Sequence, residues 1–313
     1  MNPDLLKQQN FLKRFYIYQK ERYPFAGYIF LVGAFSFSAI SYSRICRDAD
    51  GFITLFPFLI CVFNTVTLFF LVRIFDEHKD QEDDMQYRKY LPVPRGIITL
   101  KELRYVAVFI FFLQIIVNLI FYPKMLLLYA GVMIYLLLMG KEFFVRDWLK
   151  KHQFWYITSH MFIIPFIDIF ASGFDWFLAD VKAPDGLLLF FCVSYMNGIV
   201  LEIGRKIKAP ENEEEGVLSY TKQLGSKRAP LIWILILFIT ILLAFAAAYY
   251  AGMDLITYIV FSLLFLLCAL PAVMFFKTQN QKFGKWMEYS SALWTFGMYL
   301  TLGGIPMLIS LLK

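Results

Sequence analysis

The chain has 313 residues, of which 59% are hydrophobic and 17% charged, with a mean hydropathy of +0.60. Soluble domains average about 45–50% apolar and about 25% charged residues, so the composition argues against a water-soluble globular fold and for a membrane bundle that uses the whole chain. The net charge of +6 does not indicate nucleic-acid binding, because the basic residues fall in the gaps between long apolar runs.

Taken in chain order, the N-terminal segment MNPDLLKQQNFLKRFYIYQKERYPF lacks the uncharged apolar core of a signal peptide and is not expected to be cleaved. A membrane-spanning helix needs about 20 mostly apolar residues. Nine candidate spans follow, at roughly 25–43, 52–75, 103–121, 123–140, 153–173, 186–203, 230–250, 255–276 and 289–312. The third and fourth are divided only by YPK, where Pro123 and Lys124 predict a tight turn. Alternate gaps hold 25 of the 30 Lys and Arg residues; the others hold Arg44, Arg47, Lys124, Lys182 and Lys313. Lys and Arg accumulate in cytoplasmic loops, so the split predicts an odd number of helices, with the N-terminus cytoplasmic and the C-terminus outside. The expected architecture is one all-α bundle of about nine helices over 1–313, with two longer cytoplasmic loops at about 76–102 and 204–229. Cys46, Cys61, Cys192 and Cys268 lie far apart without CxxC or Cys/His spacing, which speaks against a zinc site or a disulfide framework.

The first long loop begins FDEHKDQEDDMQYRKYLPVPRG. Asp76, Asp80 and Asp84 are spaced four apart, so on a continuous helix they drift only about 40° per step and share a face. Such a row of like charges is relieved by a cation. Mg²⁺ prefers carboxylates, water and phosphate oxygens, so the row can hold Mg²⁺ and, through it, a diphosphate. Lys79, Arg88 and Arg95 are candidate contacts to the same anion, with the LPVPRG turn folding the basic segment back over the carboxylates. Arg73, one turn before Asp76, is a further candidate diphosphate ligand. A solvated acidic face is the plain alternative for the stretch. Within the spans, Asn64, His160 and Asn197 are candidate cavity or acceptor contacts. Asp168 reads as structural, and Gln114 and Asn118 as helix–helix hydrogen bonds.

These residues carry a resemblance. Asp76-Glu77-x-x-Asp80-x-x-x-Asp84, followed by Leu91-Pro92-x-x-x-Gly96, is similar to the first aspartate-rich motif of the UbiA superfamily of intramembrane prenyltransferases. Asp76 replaces the family's leading Asn, Glu77 its next Asp, and Leu91 the Arg before Pro. The resemblance implies nine spans, a cytoplasmic N-terminus and catalytic loops after the second and sixth spans. It implies a second motif in LEIGRKIKAPENEEEGVLSYTKQLG, where GVLSYT matches the family's closing Gly and Ser/Thr. There Glu202 and Glu211 stand for metal-binding aspartates, beside Arg205 and Lys206 for the diphosphate.

The activity implied is Mg²⁺-dependent transfer of an isoprenoid group from a prenyl diphosphate to a hydrophobic aromatic or lipid acceptor within the bilayer, in the bacterial cytoplasmic membrane. Asp76, Asp80, Asp84 and Glu202 are the expected catalytic residues. With Glu211 they are also the expected metal ligands. The departures at the motifs leave open a UbiA-type terpene cyclase, in which the substrate's own double bond captures the cation. A membrane transporter with partner-binding loops is the non-enzymatic alternative.

Overall fold

The computed structural model describes residues 10–312, and among them every regular element is helical. Lys7 and Lys313, both in the charge count above, lie outside the described residues.

Helix α1 (Phe11–Arg22) opens at Asn10, whose side chain accepts the Lys13 amide at 3.1 Å, satisfying one of the free amides of the first turn. Tyr18 is fully buried. Arg14 grips Glu102 with two hydrogen bonds at 2.5 and 3.1 Å, and Arg22 reaches Glu77 at 2.6 Å. Helices α2 (Phe25–Cys46) and α3 (Leu55–Lys79) are the first two apolar helices. Helix α4 (Gln81–Tyr87) continues from α3 across a bend at Asp80, where φ is −90° and ψ is 7°. Then come α5 (Leu100–Phe121), α6 (Met125–Gly140), the short α7 (Arg146–Lys151), and the pair α8 (Gln153–Met161) and α9 (Ile163–Ser172). Helix α10 (Leu187–Arg205), the short α11 (Tyr220–Leu224), α12 (Arg228–Tyr250), α13 (Leu255–Thr278) and α14 (Gln281–Tyr299) follow. A π turn at Leu300–Gly304 leads into α15 (Ile305–Leu312).

Eight helical stretches are long and apolar enough to cross a membrane, and Met125–Gly140 is a shorter apolar one. They coincide with the nine expected runs. The chain is therefore an all-α, multi-pass integral membrane protein. Boundaries shift where local chemistry overrides hydropathy. The fifth run is broken at Phe162, because Pro165 has no amide for the Met161 carbonyl. The ninth starts eight residues earlier than hydropathy alone suggests, capped by Asn280 accepting the Phe283 amide at 3.1 Å. Near its end Pro306 cannot bond the Leu302 carbonyl, and the backbone widens into the π turn. At that turn Gly303 lies against α2; a Cβ there would stand 2.2 Å from the Ser38 carbonyl oxygen.

Two sub-bundles share the core. Helix α3 packs on α2, α5 and α6, and α10 packs on α9, α12 and α14. Helix α9 touches α2, α6 and α10 and joins the two. Polar side chains inside the first group satisfy one another across helices, as apolar surroundings require. Asn118 donates to Asn64 at 2.7 Å, Gln114 to Thr67 at 2.7 Å, and Tyr129 to Gln114 at 2.8 Å. This arrangement brings the C-terminal ends of α3 and α10 together with helix α8 at one end of the bundle.

Candidate functional site

The last two turns of α3 carry Arg73, Asp76 and Lys79, with Asp76 three residues from each cation and in reach of both. The last turn of α10 carries Glu202 and Arg205, with Lys206 immediately after. Helix α8 adds Tyr156 and His160. Together with the two long loops these ends enclose a cavity of about 370 Å³. Nine expected site residues line it: Arg73, Asp76, Lys79, Asp80, Arg88, His160, Glu202, Arg205 and Lys206. Val72, Met139, Met161 and Ile163 supply apolar wall.

The two carboxylate groups differ in what they have left to offer. Glu202 is nearly buried and engaged: Arg205 Nε donates to it at 2.8 Å, a second guanidinium nitrogen also reaches it, and Lys206 Nζ lies 2.5 Å away. Asp76 has looser partners, Lys79 at 3.3 Å and Arg73 at 3.8 Å. The Asp80 carboxylate lines the cavity and has no ion pair or hydrogen bond among the described residues. Burial pushes its carboxyl above the ordinary aspartate range; Lys79 opposes this, while Asp76 and Asp84 add to it.

The expected single row of aspartates does not form. The bend at Asp80 turns α4 away from the axis of α3, and Asp84 points out of the cavity, buried and paired with Arg88 at 3.0 Å. Glu77 does not line the cavity either and pairs with Arg22 at 2.6 Å and Arg73 at 3.4 Å. Arg95 does not reach the cavity and pairs with Glu21 at 2.7 Å. Glu211 accepts the Gln281 amide at 3.0 Å, outside the cavity wall. Asn64 is spent in the network with Asn118, and Asn197 lies in the buried interior about 7.5 Å along α10 from Glu202.

The second loop is shaped by its own acids and by the first loop. Ser219 donates to both oxygens of Glu213 at 2.6 and 2.7 Å, and Thr221 donates to the same carboxylate. Gly216 has φ +70°, and a Cβ there would fall 2.2 Å from the Tyr87 ring. Tyr90 donates to Glu214 at 3.3 Å. The two loops thus meet through Tyr87 and Tyr90.

Several lining residues escaped the sequence reading. Tyr156 accepts from Lys79 at 2.8 Å; its position one turn before His160 was the available signal. Arg22 and Lys208 reach the cavity from α1 and from the second loop, and nothing in their local sequence marks them.

Seven Lys and Arg side chains face six Asp and Glu around the cavity, a surplus of one positive charge. No three His, Cys, Asp or Glu side chains among the described residues form a preformed metal cage. Mg²⁺ does not need one, since it commonly takes one or two carboxylates and completes its shell with water and phosphate oxygens. Asp80, unpartnered, and Asp76 beside it fit that mode; Glu202, saturated by two cations, fits it less well.

Among solved structures the chain is similar to one of digeranylgeranylglyceryl phosphate synthase in membranes, with a TM-score of 0.60 over 93% of this chain and 99% of that chain. The chain has the fold of that membrane synthase. Sequence identity is 16%, so the likeness lies in the course of the helices. No family model matches the chain, and no curated protein matches it.

Proposed function

We propose that the chain is a divergent member of the UbiA superfamily, an intramembrane prenyltransferase that moves an isoprenoid group from a prenyl diphosphate to an aromatic or lipid acceptor, with Mg²⁺. The observation that carries this reading is the cavity. Basic side chains and an unpartnered carboxylate converge at the ends of two apolar helices, directly above an apolar wall. A diphosphate with a greasy tail has that division of charge. The shared fold with a synthase whose named product bears two geranylgeranyl chains supports the same reading.

In this reading Arg73, Lys79, Arg205 and Lys206 bind the diphosphate and stabilise the negative charge that grows on it as the C–O bond ionises. Asp76 and Asp80 hold Mg²⁺, which supplies the positive charge that one surplus cation does not. Val72, Met139, Met161 and Ile163 receive the start of the isoprenoid and keep water from the allylic cation. The two loops, joined at Gly216 and Tyr87, close the cavity. The basic end faces the cytoplasm, in the bacterial cytoplasmic membrane, and 1–313 acts as one catalytic unit.

Incubation of the purified protein with Mg²⁺ and geranyl, farnesyl or geranylgeranyl diphosphate, followed by assay of inorganic diphosphate and mass spectrometry of the lipid extract, tests the proposal. Metal-dependent diphosphate release with a prenylated acceptor is expected. Release with only a cyclised hydrocarbon would identify a terpene cyclase, and no release with any donor would remove the enzymatic reading.

A further inference from the structure

Behind the cavity wall, Glu142, Phe143 and Phe144 have φ values of 50°, 52° and 61°. Three successive side-chain-bearing residues in the left-handed region cost of order 1 kcal/mol or more each. Such strain persists only where the surroundings impose it. Its result is to drive the Glu142 carboxylate inward, to 5% exposure, against His160 at 4%. The nearest oxygen and His160 Nε2 are 3.3 Å apart.

The orientation of the imidazole follows from its partners. His160 Nδ1 lies 2.8 Å from the Tyr156 carbonyl oxygen. A carbonyl only accepts, so Nδ1 carries hydrogen. Nε2 then faces the Glu142 carboxylate across that contact. The His160 ring also stacks on the Tyr156 ring, with centroids 4.1 Å apart and planes at 19°, while Phe143 meets its edge at 6.1 Å. Tyr156 is therefore held twice by one imidazole, through its carbonyl and through its ring. Its hydroxyl takes a hydrogen bond from Lys79 Nζ at 2.8 Å.

We propose that Glu142 and His160 are positioning residues, a buried bracket that fixes Tyr156 so that its hydroxyl aims the Lys79 ammonium into the cavity. Besides Tyr156, Lys79 has Asp76, at 3.3 Å, to orient it. Glu142 lies outside the cavity lining and His160 within it; both act on Lys79 through Tyr156. Lys79 as a diphosphate ligand rests on the function proposed above, whereas its fixation by the bracket does not.

Two readouts separate the claims. Labelling of lysines by an amine-reactive reagent, read by mass spectrometry, reports the Lys79 fixation. Calorimetric titration with Mg²⁺ and inorganic diphosphate reports its use. Glu142→Gln keeps the shape and removes the charge; Tyr156→Phe keeps the ring and removes the hydroxyl. Each variant is expected to raise Lys79 labelling and weaken diphosphate affinity about fivefold, the equivalent of one hydrogen bond. Lys206, on the opposite wall, keeps its wild-type labelling. The double variant is no worse than Tyr156→Phe, because both changes break one chain of contacts. If wild-type protein binds no diphosphate but Glu142→Gln still exposes Lys79, the bracket stands and the diphosphate reading falls. Unchanged Lys79 labelling in Glu142→Gln, an equal rise at Lys206, or additive losses in the double variant would each overturn the bracket.

Discussion

At the scale of single residues, the cavity sorts carboxylates by whether a protein cation already holds them. Asp80 is the one on its α3 side without a partner, so it is the residue whose loss matters most to the metal. Asp80→Ala is expected to lower Mg²⁺-dependent diphosphate release at least about 100-fold, a size typical of removing a key electrostatic group. Mn²⁺ binding measured by electron paramagnetic resonance should fall with it. Asp84→Ala should act less, about tenfold and mainly on KM, because Asp84 reaches the cavity only by holding Arg88. The raised Asp80 carboxyl adds a pH signature. A carboxylate must be ionised to hold a metal, so acidification should release Mn²⁺ at a higher pH than an ordinary aspartate would require.

At the scale of elements, the site depends on where helices stop. The bend at Asp80 separates Asp76 and Asp80 from Asp84, and Pro165 breaks the fifth span so that α8 can set Tyr156 and His160 at the cavity. The loops are joined at a point that admits no side chain. Gly216→Ala would combine a positive φ with a clash on Tyr87. It is expected to cost about 1–2 kcal/mol and to open the second loop, seen as faster proteolysis within 204–229 and slower turnover. Glu77 ties α1 to the same end through Arg22 and also holds Arg73 of its own helix. Glu77→Ala leaves two guanidiniums without their shared partner, each still partly solvated. The loss should be about 1–3 kcal/mol, discounted from the buried-pair range, measured as a fall in Tm in nanodiscs.

At the scale of the whole molecule, charge is distributed between two ends with different work. The basic end holds the cavity. At the other end, Arg44 and Arg47 both pair with Asp175, which is buried, at 2.9 and 2.5 Å; these cations are structural. With Lys and Arg retained on the cytoplasmic side, a cysteine placed at Glu214 should be labelled by an impermeant thiol reagent only from the cytoplasmic face, and one at Asp185 only from outside. The opposite pattern would invert the proposed orientation.

The number of spans, their order, the all-helical class and the convergence of two charged loops were legible in the sequence, because the bilayer requires about 20 apolar residues per crossing and places charge at the ends. Nine of the residues expected at the site line the cavity, most of them placed by spacing along a helix, which is local information. Tertiary structure alone decided the rest. Asp84, Arg95 and Glu211 turn from the cavity because Arg88, Glu21 and the Gln281 amide are nearer partners, and Glu142 comes to His160 through a left-handed turn that no local propensity favours. Partner choice among charges depends on distances between segments far apart in the chain, and those exist only once the helices have packed.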